Sequence, residues 1–242
     1  MSFTEPEYLV NPGFSAQTIF VGVDREPVLI IDDFLAKPEA ILRLAETGVP
    51  FHKDDKDFYP GIRKPLSMAY ASNTYRHLQE LFVATFSPHR RVEVEPLACL
   101  LSLATTRPEH LRPIQSVPHF DNLDSAHLAG VHYLCSEEFG GTSFYRHRST
   151  AYESMSEERI AQYAPRLKQE VINLKTRTFT YTRGDTVLFE RTASVEARFN
   201  RAIYYRSHIL HSGDIGAITA TSADPRMGRL TVNTLGVLRA RD

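Results

Sequence analysis

Short apolar runs separated by turn residues dominate the hydrophobic pattern, and three stretches depart from it with helical spacing. The runs predict ten strands, over 28–31, 92–94, 98–104, 115–120, 128–134, 142–145, 179–182, 186–189, 202–205 and 229–238. A first helix is expected over 38–47, with Pro38 in its first turn, Ile41, Leu42, Leu44 and Ala45 facing inward and Gly48 as the stop. A second is expected over 74–86, where Leu78, Leu81, Phe82 and Thr85 share one face and Pro88 follows. A third starts at Ser154, which forms a capping-box pattern with Glu157 ahead of Ile160 and Tyr163, and Pro165 should cut it short or kink it. Many short strands with helices gathered early describe a mainly β sandwich or barrel, its first two helices on the outside of the larger sheet. Without an internal repeat or a long linker, one domain over 1–242 is expected.

Composition narrows the class without changing this picture. Hydrophobic residues at 42% and charged residues at 24% match soluble globular chains and exclude disordered, collagen-like and coiled-coil classes. Lys plus Arg number 28 against 29 for Asp plus Glu, so the net charge of −1 supplies no field for capturing nucleic acid or an anionic membrane. No run approaches the roughly 20 apolar residues of a membrane span, and the opening MSFTEPEYLV lacks a secretory pattern, so a cytoplasmic location is expected. Cys99 and Cys135 lie in apolar runs and read as buried thiols.

The candidate chemistry lies in the histidines. In Pro118-His119-Phe120-Asp121 an extended backbone puts His119 and Asp121 on one face, offering an imidazole nitrogen and a carboxylate to one ion. A later strand ends in His208-Ile209-Leu210-His211-Ser212-Gly213. The two histidines there are an odd number apart and face opposite sides; His211 is the chosen ligand because Ser212 and Gly213 leave space beside it. Two histidines and one carboxylate with the remaining positions open form the donor set of non-haem Fe(II) sites, whereas a structural zinc site needs four protein ligands. Further on, Arg229 and Thr231 share a face and offer a planar fork and a hydroxyl to one carboxylate.

The triplets HFD, HSG and RLT, in this order, resemble those of 2-oxoglutarate- and Fe(II)-dependent oxygenases, whose core is a double-stranded β-helix, the cupin-like jelly roll. The prolyl-hydroxylase-like branch is the most similar, through VLIIDDFL at 28–35 and the glycine-glycine turn FGGTSF at 139–144. Tyr59-Pro60-Gly61, residues 144–148 and Asn200-Arg201 also resemble a bacterial family within this superfamily. The likeness covers 28–238 and implies Fe(II) on His119, Asp121 and His211, with 2-oxoglutarate as cosubstrate. It also implies that Arg229, with Thr231, holds the distal carboxylate, Arg226 and Arg239 being the alternatives, and that 214–227 is a loop. Relatives place a tyrosine against that carboxylate where this chain has His132, immediately before Tyr133, so His132 is the assigned contact and Tyr133 the alternative. The implied activity is O2-dependent hydroxylation of a small molecule or protein side chain, since halogenating relatives lack a carboxylate at the Asp121 position. A cupin-like isomerase or hydrolase and a non-catalytic binding protein are the alternatives, and a homodimer is allowed.

Overall fold

The computed structural model describes residues 8–54, 58–174, 179–216 and 221–241; the opening residues 1–7 and part of the expected 214–227 loop lie outside them. Strands form two antiparallel sheets. The larger holds, side by side, β1 (Ser15–Val21), β2 (Glu26–Asp32), β8 (Arg201–Arg206), β5 (His127–Tyr133), β10 (Leu230–Ala240), β4 (Val92–Ala104) and β3 (Gly61–Pro65). The smaller holds β7 (Phe189–Val195), β6 (Thr142–His147) and β9 (His211–Gly213), extended by a single bridge between His119 and His211. From β4 onward the chain passes from the large sheet to the His119 bridge, back to β5, across to β6 and β7, and so on through β8, β9 and β10. This winding is a mainly β double-stranded β-helix with flanking helices.

Both faces of β2, β8 and β5 are buried, which is why these strands read as apolar runs rather than alternating ones. In β8, Ile203 and Tyr205 face the small sheet with Ala129, Val131 and Tyr133 of β5 and Phe144 of β6. Ala202 and Tyr204 face outward and pack with Leu128, Leu101, Leu103 and Val232 under helices. Those helices are α1 (Glu39–Glu46), α2 (Met68–His77) and α3 (Gln79–Phe86), which contribute Ile41, Tyr70, Tyr75, Phe82 and Phe86 to the same cluster. The fourth helix, α4 (Glu157–Asn173), brings Tyr163, Ile160 and Leu167 against Tyr145, Phe189 and Leu210 on the outer face of the small sheet. Cys99 and Cys135 are free and buried on opposite faces of the large sheet. Among the described residues no helix is long and apolar enough to cross a membrane.

Several elements differ from the sequence expectation. The single helix expected over 74–86 is two, broken at Leu78 (φ −90°, ψ 5°), and α2 starts earlier, where Ser67 Oγ accepts from Ala69 N. Its buried face carries Tyr70, Ala71, Thr74 and Tyr75, which a hydropathy pattern discounts. Ser154 does not cap α4. It bridges Ile209 and its hydroxyl donates to Asp24, while Ser156 accepts from Arg159 N as the cap. Pro165 lies on the exposed side of α4, where the carbonyl it leaves unbonded meets water, so the helix continues through it.

The expected strands at 92–94 and 98–104 merge across Pro96, opposite a bulge at Leu235/Gly236 that absorbs the missing donor. Residues 115–120 form no strand but a 3-10 turn (Pro113–Ser116) and the lone His119 bridge, 179–182 form no strand, and 186–189 shifts to β7. The pattern missed β1, β3 and β9, two of them edge strands and the third three residues long.

His132 corrects a site expectation. It alternates with Tyr133, so it faces the helices while Tyr133 faces the small sheet, and the carboxylate contact implied for His132 is geometrically excluded. Its Nδ1 pairs with Tyr70 Oη at 2.9 Å and its Nε2 with Asn200 Oδ1 at 3.2 Å. Asn200, with φ 63°, also accepts from Leu35 N and donates to Leu35 O, both at 2.9 Å, which ties the end of β2 to the start of β8. Beside it Arg201 grips Asp32 through two hydrogen bonds, of 2.6 and 2.9 Å, and this pairing holds the Asp32 carboxyl below its usual range. The Asn200-Arg201 pair is therefore a joint of the scaffold.

Burial drives the His132 pKa down from 6.5 to about 3, against the opposing hydrogen bond to Asn200. Below pH 6.5 the unfolded chain takes up a proton that the native chain refuses until about pH 3. Stability should thus fall as pH drops through this window, by up to ~1.4 kcal/mol per pH unit from this group. Thermal unfolding between pH 7 and 4.5 checks this: His132→Gln should flatten the slope of Tm against pH, whatever it costs at pH 7.

Candidate metal centre

The centre is built on one main-chain pairing. His119 N donates to His211 O and His211 N to His119 O, both at 2.8 Å, so the two residues are directly opposed and their side chains share a face. Asp121 N donates to Ser207 O at 2.8 Å, which holds the carboxylate over the same spot. The imidazole rings lie 4.3 Å apart between centroids; His119 Nε2 is 3.8 Å from Asp121 Oδ1 and His211 Nε2 is 3.6 Å from Oδ2. One ligand atom from each of the three falls within 4.8 Å of the others.

Protonation suits a cation. His211 Nδ1 donates to Ile209 O at 2.8 Å, which places its proton there and turns the Nε2 lone pair toward Asp121. Tyr205 packs edge-on against the His211 ring at 4.8 Å and fixes its plane. Crowding by protein atoms holds the His119 pKa down at about 4, helped by His211 and Arg63 and opposed by Asp121, even though the ring's other side reaches solvent. Two imidazoles and one carboxylate group therefore meet at one point. His208 turns away and pairs with Glu26 at 3.0 Å.

Arg229 enters the space between the sheets at its closed end. Nε donates to Gly140 O at 2.9 Å and Nη2 to Gly141 O at 2.8 Å, and the guanidinium carbon is 5.7 Å from the Tyr133 ring centre. The turn can aim both carbonyls at it because side chains there would strike the backbone of Asp214 and Val195, and Gly140 sits at φ +82°. Arg229 is 4% exposed, and among the described residues no carboxylate lies within ion-pair distance of it. Arg226 and Arg239, by contrast, pair with Glu46 and Glu95 at the exposed surface.

Thr231, fully buried on the face of Arg229, donates to Asn233 Oδ1 at 2.9 Å, and Tyr133 Oη shares a 2.6 Å hydrogen bond with Thr142. Burial pushes the Tyr133 hydroxyl up to about 12, so it stays protonated at neutral pH. Gly213 lies two residues beyond His211 on the same face, about 7 Å along the strand, and a side chain there would reach the Arg229 guanidinium. Tyr133, Tyr59, Arg63 and Tyr205 join the cavity without having been assigned from the sequence. Alternation at His132 was a signal for Tyr133; the others needed the positions of β3 and β8.

A family model described as a family of unknown function, DUF6445, matches residues 12–235. The chain belongs to the DUF6445 family. No curated protein matches its sequence. Similar solved structures include SnoN, described as a non-heme alpha-ketoglutarate-dependent epimerase from nogalamycin biosynthesis, at 13% identity over 90% of this DUF6445 chain and 82% of that one, with a TM-score of 0.49. HygX from Streptomyces hygroscopicus, solved with nickel, 2-oxoglutarate and hygromycin B, is 11% identical over 88% and 83% of the two chains, with a TM-score of 0.44. SnoK, described as an alpha-ketoglutarate-dependent carbocyclase, is 13% identical over 90% and 81%, with a TM-score of 0.40.

Titration with Fe(II) or Co(II) under argon checks the cluster. His211→Ala and Asp121→Ala should each weaken metal binding by on the order of 100-fold or more, beyond the loss typical of an outer-shell partner. His208→Ala should leave it unchanged, since that ring is engaged with Glu26.

Proposed function

We propose that this protein is a 2-oxoglutarate- and Fe(II)-dependent oxygenase of the prolyl-hydroxylase-like kind, hydroxylating a small molecule or a protein side chain. The observation that carries the reading is Arg229. A buried guanidinium without a carboxylate partner among the described residues is costly unless an anion arrives to meet it. It stands beside the bare Gly213, which lies about 7 Å along β9 from His211, a spacing that suits a five-carbon dicarboxylate.

His119, Asp121 and His211 would hold Fe(II), and the donor set fits that ion, leaving positions open. When bound, iron and 2-oxoglutarate would supply an O2-derived oxidant for a C–H bond, with 2-oxoglutarate leaving as succinate and carbon dioxide. Around them Arg229 binds the far carboxylate through its fork. Gly140 and Gly141 keep that fork oriented, and Tyr133 and Thr142 offer a neutral hydroxyl pair beside it. Ala104, Leu111, Tyr181 and Ile215 close this end against water. A cupin-like isomerase or hydrolase, or a simple binding protein, would account for the triad but would leave the buried arginine without a role.

Anaerobic titration of 2-oxoglutarate into the Fe(II)-loaded protein tests this by its weak visible charge-transfer band. Arg229→Ala should raise the apparent Kd for 2-oxoglutarate about 100-fold or more with Fe(II) affinity unchanged, and Arg229→Lys should recover only part. Equal affinities in wild type and both variants would remove the cosubstrate from this reading.

A further inference from the structure

The inner face of the large sheet is only partly roofed. Across β5, β10 and β4, one row runs Val131, Asn233, Leu100 and the next runs Ala129, Leu235, Ala98. Val131 and Ala129 are buried, but Asn233, Leu100 and Ala98 are half-buried and Leu235 is 37% exposed. On the opposite face of these strands Cys99, Leu101 and Val232 are buried under helices. The cause is the shortness of the small sheet: β9 has three residues and the His119 segment contributes one bridge, so among the described residues this sheet does not extend over the β10–β4 stretch.

The open stretch adjoins the triad. Leu235 lies two strands, roughly 10 Å, from Tyr205, whose ring touches His211. The His119 side chain is itself about half exposed, at 53%. The far edge carries a cation. Arg63 of β3 stands in register with Ser102, Thr231 and Tyr133, and so projects from the inner face. Its guanidinium lies over the Tyr59 ring, 4.1 Å from the centroid, and its charge helps depress the pKa of His119. Tyr59 in turn feels both Arg63 and Arg229. One aromatic ring thus stands between two cations, Arg229 in the closed pocket and Arg63 at the opening.

We infer that this trough is the substrate site and that it takes a free small-molecule carboxylic acid with an apolar body, its carboxylate on Arg63 and its body over Leu100, Ala98 and Leu235. Four residues of β4 separate the Arg63 row from the Leu235 row, about 13 Å, room for a body of roughly ten carbons. The proposed oxygenase reading contributes only the consequence that such a body would lie beside the metal.

The test uses two probes with one aromatic skeleton, the anionic 8-anilinonaphthalene-1-sulfonate and the uncharged N-phenyl-1-naphthylamine, followed by fluorescence with the native protein. Decanoate should displace the anionic probe at about tenfold lower concentration than decan-1-ol. Arg63→Gln should weaken the anionic probe about tenfold, the loss of one charged hydrogen bond, and change the neutral probe less than about twofold. Leu235→Glu, at an exposed position that tolerates a polar group, should weaken both about tenfold or more. Arg229→Ala should leave both probes unchanged while raising the apparent Kd for 2-oxoglutarate about 100-fold or more. Retained anionic binding in Arg63→Gln, or loss of it in Arg229→Ala, overturns the inference, as does loss of the 2-oxoglutarate band in Arg63→Gln. If the probes behave as expected but Fe(II) and 2-oxoglutarate do not bind, the oxygenase reading fails and the trough stands.

Discussion

Two backbone hydrogen bonds between His119 and His211 carry the site. They set the residues directly opposite each other, so strand geometry alone forces both imidazoles onto one face and brings Asp121, two residues on, to the same point. The His119 segment has no other ladder to hold it, because the pairing is a single bridge. Its position is fixed by what packs around it: Val117, Phe120 and Leu123 enter the cluster formed by Tyr145, Met155 and Leu210, and Asp121 N is held by Ser207 O. The outer core of the small sheet and α4 are therefore part of the ligand geometry, although they contribute no ligand.

The interior between the sheets divides electrostatically. Near the large sheet's centre it is an ordinary apolar core of Ala129, Val131, Ile203 and Phe144. Toward the ends of β10 and β4 it becomes polar, with Thr231, Ser102, Tyr133 and Arg229 all buried. Packing a guanidinium there opposes stability, and among the described residues it is offset through the two glycine carbonyls and the Tyr133 ring rather than through a carboxylate. A scaffold selected for stability alone has no reason to retain it, which is the physical ground for assigning this end a ligand.

The hydrophobic pattern was legible where burial is two-sided. β2, β5 and β8 are largely apolar runs, and α1 follows from Pro38 and its apolar face. It failed where an element is stabilised by something other than its own apolar content. α2 buries tyrosines and a threonine whose hydroxyl donates to Tyr70 O; Ser154 is drawn into a bridge with Ile209; β3 and β9 exist because neighbours supply their hydrogen bonds. His132 shows the same limit at one position. Its strand was evident, but which of two adjacent residues faced the cavity depended on the register with β10 and β8.

What the sequence by itself determined was the chemistry available: HxD, a later His211, a forked cation in Arg229, and the strand periodicity that pairs His119 with Asp121 and Arg229 with Thr231. These are local facts, fixed by the two-residue repeat of an extended chain. Tertiary structure alone decided that Tyr133 rather than His132 borders Arg229 and that Arg63 shares the inner face with them. Each of these depends on which strands become neighbours and in what register. That choice is made by summed burial over the whole sheet and is written in no short segment of the chain.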